Sequence, residues 1–582
     1  MANKFFFFTI LLIIPVIIIP FALLNSCGPN APVISSIDPK IGRMGEIITL
    51  TGNYFGESRD ESYVSIAGIT PTSSSYYLWQ ENQIIVRVPE LGESGLVYVH
   101  VKGKKSNGVL FSNYASVPRP FDGEELGLEP KISSVSPQTG APGSLIIITG
   151  NNFGISREIS LQAISQQAAI QHSAPQSSVS PPSFGVFFSW DFDSPSNPFA
   201  VREPGFIEVS EIELGYEAWS AREIRVRLPD GAVSGNFEVR TSNGISRPVF
   251  FDVSEKPGYK NYRDRRSYTI TYSVDIRVTE ATKPNTLYLW VPKPVNSPSQ
   301  RNINIVSRSA EPFVENHRGI SLYKLDNLGP GAYQSVNFTF SAEVYSVETS
   351  IKPSSIKQES TPLSAMYTQN TSLIPSDNQK IKSAVSSIVG REQNPYFKAK
   401  AIYDWLLANV KIYYSHSIDT NVVLTFDKKR ADQYSAAMLF VTMARAANIP
   451  CIPVAGVLVD TGGKTTRHYW AEFWINGFGW IPVDPFMGAG KTVINENQSL
   501  ASGTIYADGN SIIAGDYYFG NMDNQRIAFS RGEPVISQME NRGRPVSHKQ
   551  SYSLQNVWEE AVGGLESYSS LWGDITISGI YQ

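Results

Sequence analysis

Hydrophobic and polar positions change period several times along the chain. Residues 5–24 (FFFFTILLIIPVIIIPFALL) follow Lys4 and carry no charge, the pattern of a secretory signal. The run is also long enough to span a membrane, although Pro15 and Pro20 interrupt a helix. From residue 31 to about 350, short β-branched runs separated by Gly/Pro turns predict strands, among them 47–51, 145–149, 268–278, 286–291 and 336–344. Helical spacing takes over after Pro395, through Ile402, Trp405, Leu406 and Val410. Residues 432–447 are apolar on most faces and predict a buried helix. Apolar strands are expected at 452–459, 469–475 and 480–483. The last segment, 554–582, shows a helical pattern at Val557, Trp558, Ala561 and Val562, followed by a strand.

Part of the β-rich region is a repeat. Residues 32–56 (PVISSIDPKIGRMGEIITLTGNYFG) and 130–154 (PKISSVSPQTGAPGSLIIITGNNFG) share 13 of 25 positions at a lag of 98. Gly42, Gly45, Gly52 and Gly56 match Gly140, Gly143, Gly150 and Gly154, where turns or close backbone approaches demand glycine. Trp79 and residues 84–89 then match Trp219 and residues 224–229 at a lag of 140, so the second copy carries an insertion of 42 residues. Its centre, 162–183, is an uncharged Gln/Ser/Ala/Pro stretch, and a disordered insertion is expected over about 157–200. The doubled motif resembles the IPT/TIG family of immunoglobulin-like domains over 31–117 and 129–253. That resemblance implies a spacer or a protein-contact module, and the spacer is the simpler reading.

Composition narrows the partners. The net charge is −4 with no basic run, which argues against nucleic acid. The only cysteines are Cys27 and Cys451, too few for a disulfide framework. Cys27 follows the apolar run, and with Leu24 and Ser26 before it resembles the lipid-attachment cysteine of bacterial lipoproteins; Asn25 departs from that box. The expected arrangement is a signal peptide at 1–26, a lipidated N-terminus at 27–30, and an exported chain held at the membrane of a bacterial cell envelope. An uncleaved anchor beside an incidental cysteine is the alternative.

A third β-domain is expected at 255–350. The blocks Leu439-Phe440…Arg445-Ala446…Ile449-Pro450, His468-Tyr469-Trp470-Ala471-Glu472-Phe473 and Gly479-Trp480-Ile481-Pro482-Val483-Asp484-Pro485 resemble the transglutaminase-like superfamily over 365–490. Residues 491–582 are expected to form an extension packing on that core. The overall expectation is all-β Ig-like sandwiches, then a β-domain, then an α+β core of cysteine-proteinase-like fold. The resemblance implies a Cys-His-Asp triad with a cysteine at a helix start, a histidine base and an orienting aspartate. His468 and Asp484 match the last two. The register from Arg445 and from Pro450 puts the nucleophile at position 433, which is Gln433.

No neighbour replaces it. Cys451 lies past the helix, ~20 Å away at ~1.5 Å per residue, and reads as a small buried hydrophobe. Ser435 points ~200° around the helix, and Asp432 and Tyr434 are poor acyl nucleophiles. The sequence therefore leans against an enzyme and leaves His468 and Asp484 as a vestigial pair. These two are expected to line a cleft that still binds an envelope protein or peptide. The rival is an active acyltransferase or peptidase with a nucleophile not at 433. His100, His172, His317, His416 and His548 have no metal-ligand spacing, residues 488–492 lack the first glycine of a phosphate loop, and no cofactor or metal is expected.

Overall fold

The computed structural model describes residues 31–581 apart from 43–44, 61, 72–74, 90–94, 114–128, 155–184, 191–204, 211–214, 242, 255, 318, 357–361, 416–420, 461, 491–503, 508–509, 541 and 549–550. Cys27, the signal segment and residues 162–183 thus lie outside the described residues. No described helix is long and apolar enough to cross a membrane.

The repeat folds as two β-sandwiches. In the first, Val33–Asp38, Ile47–Asn53, Gln83–Arg87 and Tyr76–Gln80 make one sheet, and Ile41–Gly42, Val109–Asn113, Gly95–Val101 and Tyr63–Ile66 the other. Alternate residues such as Ile48, Leu50, Ile84, Val86, Val97 and Val99 fill the interior, as a period of two requires. The second copy repeats this with Ile146, Ile148, Ile224, Val226, Phe237 and Val239. The repeated Gly52 and Gly150 are explained by close approach: a Cβ there would stand 2.0 Å from the carbonyl oxygen of Val33 or Lys131.

The expectation of disorder across 157–200 needs correction. Gly185–Trp190 is a wholly buried strand paired with Gly235–Thr241. It is the counterpart of Tyr63–Ile66, since Val64 and Val186 each donate their backbone N–H to a tyrosine hydroxyl, Tyr76 or Tyr216. The insertion is therefore split around a strand that both copies share. Gly-Val-Phe-Phe-Ser-Trp is apolar enough to be held in the core, whatever flanks it.

The third β-domain is built on one long strand, Gly258–Pro292, paired with Tyr333–Ile351. Its sheet is completed from the other end of the chain by Glu559–Trp572 and Thr576–Tyr581. The helical pattern read at 557–562 is thus no helix: residues 559–562 open a strand, and Val557 and Trp558 precede it. Residues four apart share a face in either geometry, so that spacing could not discriminate. The C-terminal extension also divides: Arg526–Arg531 joins the core sheet beside Cys451–Val459, while the later strands belong to the β-domain.

The core sheet runs Gly479–Val483, Thr465–Ile475, Cys451–Val459, Arg526–Arg531, all antiparallel. Tyr469, Ala471, Phe473 and Ile475 face the helices Gln379–Val389, Pro395–Asn409 and Gln433–Ala446 in one apolar cluster. His468, Trp470, Glu472 and Trp474 take the other face. There the second sandwich is docked rather than held apart. Arg301 lies over the ring of Trp190 and near Tyr262 and Tyr345, Gly143 meets the Trp474 ring, and Asp230 pairs with Lys260 at 2.5 Å. Asp230 also accepts the Trp480 backbone N–H at 2.9 Å. A spacer reading does not suit this copy.

Candidate functional site

The helix Gln433–Ala446 begins at an N-cap aspartate. Asp432 accepts the N–H groups of Tyr434 (3.0 Å) and Ser435 (2.8 Å), and the Ser435 hydroxyl accepts the Asp432 N–H at 2.9 Å. This reciprocal cap satisfies buried donors that a helix end otherwise leaves open. It also explains why Ser435 is unavailable for chemistry. Replacing Asp432 with alanine is expected to lower stability by about 2 kcal/mol, the upper range for a cap. Urea unfolding would show this as a lower midpoint at an unchanged slope; an unchanged midpoint would contradict the cap's role.

Gln433 is the first helical residue and is 2% exposed. Its amide nitrogen donates to the Ser415 carbonyl at 2.7 Å, and its amide oxygen accepts the Ser415 N–H at 3.1 Å. The side chain thus behaves like one more residue of a strand, bonded both ways to a backbone. Glutamine has no ionisable proton to give to a base, and here both ends of its amide are already engaged.

His468 and Asp484 are brought together. His468 Nε2 lies 2.6 Å from Asp484 Oδ2, at positions where the strand Thr465–Ile475 and the end of Gly479–Val483 converge. Asp484 also caps the short helix Pro485–Gly488, its Oδ1 accepting the Met487 N–H at 2.9 Å. Its Oδ2 accepts a third bond, from Arg526 Nη2 at 2.7 Å, and Arg526 Nη1 lies 2.5 Å from Asp523. Burial alone would raise the Asp484 carboxyl, but attraction to His468 and Arg526 and the bonds they donate outweigh it and hold the group at about 2. Both His468 and Asp484 have zero exposure. The imidazole lies beside the rings of Phe486 and Trp470, and its Nδ1 has no hydrogen-bond partner.

Two expectations change at this point. The pair does not line an open cleft: it is sealed, because aromatic neighbours cover the ring and the carboxylate is saturated by three donors. Arg526, absent from the expected site, is its third member. The sequence signal was an arginine opening an apolar run, Arg526 before Ile-Ala-Phe.

Cys451 is fully buried, and burial pushes its thiol up, with Arg445 offsetting only part. In the ladder Cys451 stands opposite Phe473, whereas Gly456 stands opposite His468. Five strand residues at ~3.4 Å each put the thiol ~17 Å from the imidazole's backbone. Arg445 is structural, donating to the carbonyls of Cys451 and Gln369 at 2.8 Å each. His548 bonds Glu559 at 2.9 Å and His100 stacks on Tyr63; His172 and His416 lie outside the described residues. Among the described residues no group of three or more His, Cys, Asp and Glu side chains is placed to hold a metal.

Comparison with known proteins agrees with the fold. Residues 382–485 match the transglutaminase-like superfamily, and 32–116 and 130–180 match the IPT/TIG domain. An uncharacterized protein of Haemophilus influenzae is 24% identical over 197 residues, 28% of this chain. The match takes in 52% of that relative, so the chain spans about half its length. Among solved structures, a putative cysteine protease from Cytophaga hutchinsonii is 13% identical, with 56% of this chain and 92% of that chain covered and a TM-score of 0.34. The periplasmic domain of TgpA from Pseudomonas aeruginosa is 13% identical, with 37% and 87% covered and a TM-score of 0.22.

Proposed function

We propose, for a chain that carries two IPT/TIG domains and a transglutaminase-like core, a role as an exported envelope lipoprotein whose core binds or scaffolds and performs no acyl transfer. The observation that carries this reading is Gln433. It occupies the nucleophile's register, and its amide is bonded to the Ser415 backbone. Loss of a triad nucleophile removes about 10⁶ in rate, and Cys451, the one thiol among the described residues, lies far along the sheet. His468 and Asp484 serve the core as a buried, hydrogen-bonded pair, completed by Arg526. Binding falls to the surfaces of the docked domains. Cys27 carries the lipid and holds the chain at the membrane.

The test is alkylation by a thiol reagent, comparing the native chain with Gln433→Cys and with Gln433→Cys combined with His468→Ala. The native protein is expected to show no labelling that depends on His468. Gln433→Cys places a thiol in the nucleophile's register and is expected to react faster than its His468→Ala counterpart. Rapid alkylation of native Cys451 that disappears in His468→Ala would overturn the reading. Mass analysis of the N-terminal peptide checks the tether: a diacylglyceryl mass on Cys27 supports it, and an unmodified cysteine after an intact apolar run rejects it.

A further inference from the structure

The end of the first sandwich where the chain enters carries a feature that its fold does not need. Strand Val33–Asp38 begins six residues after Cys27, so at most about 20 Å of extended chain separates the tether from the domain. Val33 pairs with Asn53, and the Ile34 backbone is bonded both ways to the Asn107 side chain, at 2.8 and 2.9 Å. Asn107 follows the hairpin in which His100 pairs with Lys105 and Val101 with Lys104. The hairpin turn and the tether therefore share one end of the domain.

The turn reads Lys102-Gly-Lys-Lys105, all four residues exposed. Lys102 has φ 47° and Gly103 φ 79°, a two-residue turn whose first position favours Asn, Asp or Gly. A lysine there is held in a backbone region that its Cβ disfavours. The outer face of the same sheet continues the surface with apolar groups: Leu96 and Leu110 are paired and 45% and 59% exposed. The Lys105 ammonium sits 3.4 Å above the Tyr98 ring, and Tyr63 stacks on His100 at 4.5 Å. Glu57 and Asp60 lie in the loop between Ile47–Asn53 and Tyr63–Ile66, and Glu81 in the turn between Tyr76–Gln80 and Gln83–Arg87. Glu81 accepts the Gly56 N–H and Asp60 the Ser58 hydroxyl, each at 2.9 Å.

The second copy supplies an internal control. It closes the same hairpin in the same register, Arg240 with Ile245 and Thr241 with Gly244. Where the first copy has Lys102, Lys104 and Lys105, it has Ser242, Gly244 and Ile245. The fold thus forms without any of the three lysines, and only the copy next to the tether has them.

We propose that the first IPT/TIG domain docks on the membrane that holds it, the 102–105 turn meeting anionic phospholipid head groups and Leu96 and Leu110 facing the interface. This rests on the tethered reading above. Each lysine at an anionic surface strengthens docking about five-fold, so three together give about 10²-fold, and salt screens the effect. The domain then lies against the membrane and sets the orientation of everything that follows.

The test is hydrogen exchange across residues 96–110 of the full chain with excess vesicles, of phosphatidylcholine alone or mixed with phosphatidylglycerol. Vesicle excess lets docking be read whether or not the N-terminus anchors the chain. Protection is expected with phosphatidylglycerol, lost in high salt and reduced about 10²-fold by Lys102→Ser, Lys104→Gly and Lys105→Ser together. Equal protection on phosphatidylcholine alone, or undiminished protection in the triple variant, would overturn the proposal. So would displacement by inorganic phosphate at matched ionic strength, which would assign the turn to free phosphate. Failure of the chain to stay with either vesicle after washing rejects the tether alone, because protection in excess phosphatidylglycerol is a separate readout.

Discussion

Asp484→Ala is expected to destabilise the core by about 3–5 kcal/mol, the range for removing one partner of a buried ion pair. The alanine would leave the Arg526 guanidinium with Asp523 alone and the Met487 N–H without an acceptor. A pH signature accompanies the loss. The carboxyl is held at about 2 against an ordinary 3.8, so the folded value is depressed. Its contribution is full above about pH 4 and disappears as pH falls through about 2, amounting to about 2 kcal/mol. Urea midpoints measured down that acid range should fall more steeply for the native chain than for the variant. Parallel acid curves would show that Asp484 is not the carboxylate responsible.

The junction between the second sandwich and the core predicts an effect of similar size. Asp230 and Lys260 are both about 95% buried, with side-chain exposures of 4% and 5%. Burial pulls the Lys260 ammonium down while Asp230 supports it. Asp230→Ala would strand that charge and free the Trp480 N–H, an expected loss of about 3–5 kcal/mol. Replacing both, Asp230→Leu with Lys260→Met, removes the stranded charge and should recover more than half of the loss. Calorimetry checks the placement: the single variant is expected to separate one cooperative transition into two as the sandwich uncouples. A single variant as stable as the double would show that the pair is not fully desolvated.

Much of this was legible in the sequence where contacts are local or the pattern is repeated. The two sandwiches followed from paired glycines and β-branched runs, the helix after Asp432 from a stretch apolar on most faces, and the His468–Asp484 pair from three ordered blocks. What escaped depended on partners far along the chain. The strand at 185–190 was hidden by polar flanks, and its place is fixed by pairing with residues about 50 positions later. Arg526 could not be joined to Asp484 by spacing, since only folding brings them within a hydrogen bond. The engagement of the Gln433 amide likewise depends on Ser415, a residue 18 positions earlier with no distinguishing chemistry of its own. Side-chain identity showed what Gln433 lacks; the structure adds what its amide does instead.

The closing strand of the β-domain has a consequence for how the protein is made. Thr576 donates its hydroxyl to the Thr271 carbonyl, 305 positions earlier, and Thr576–Tyr581 completes a sheet begun at Gly258. A chain leaves the ribosome N-terminus first. The sandwiches can fold as they emerge, but the long strand must wait with an open edge until residues 576–581 have followed it. That interval is when an unpaired edge invites mispairing, so the β-domain is most vulnerable while its own closing strand is still being made.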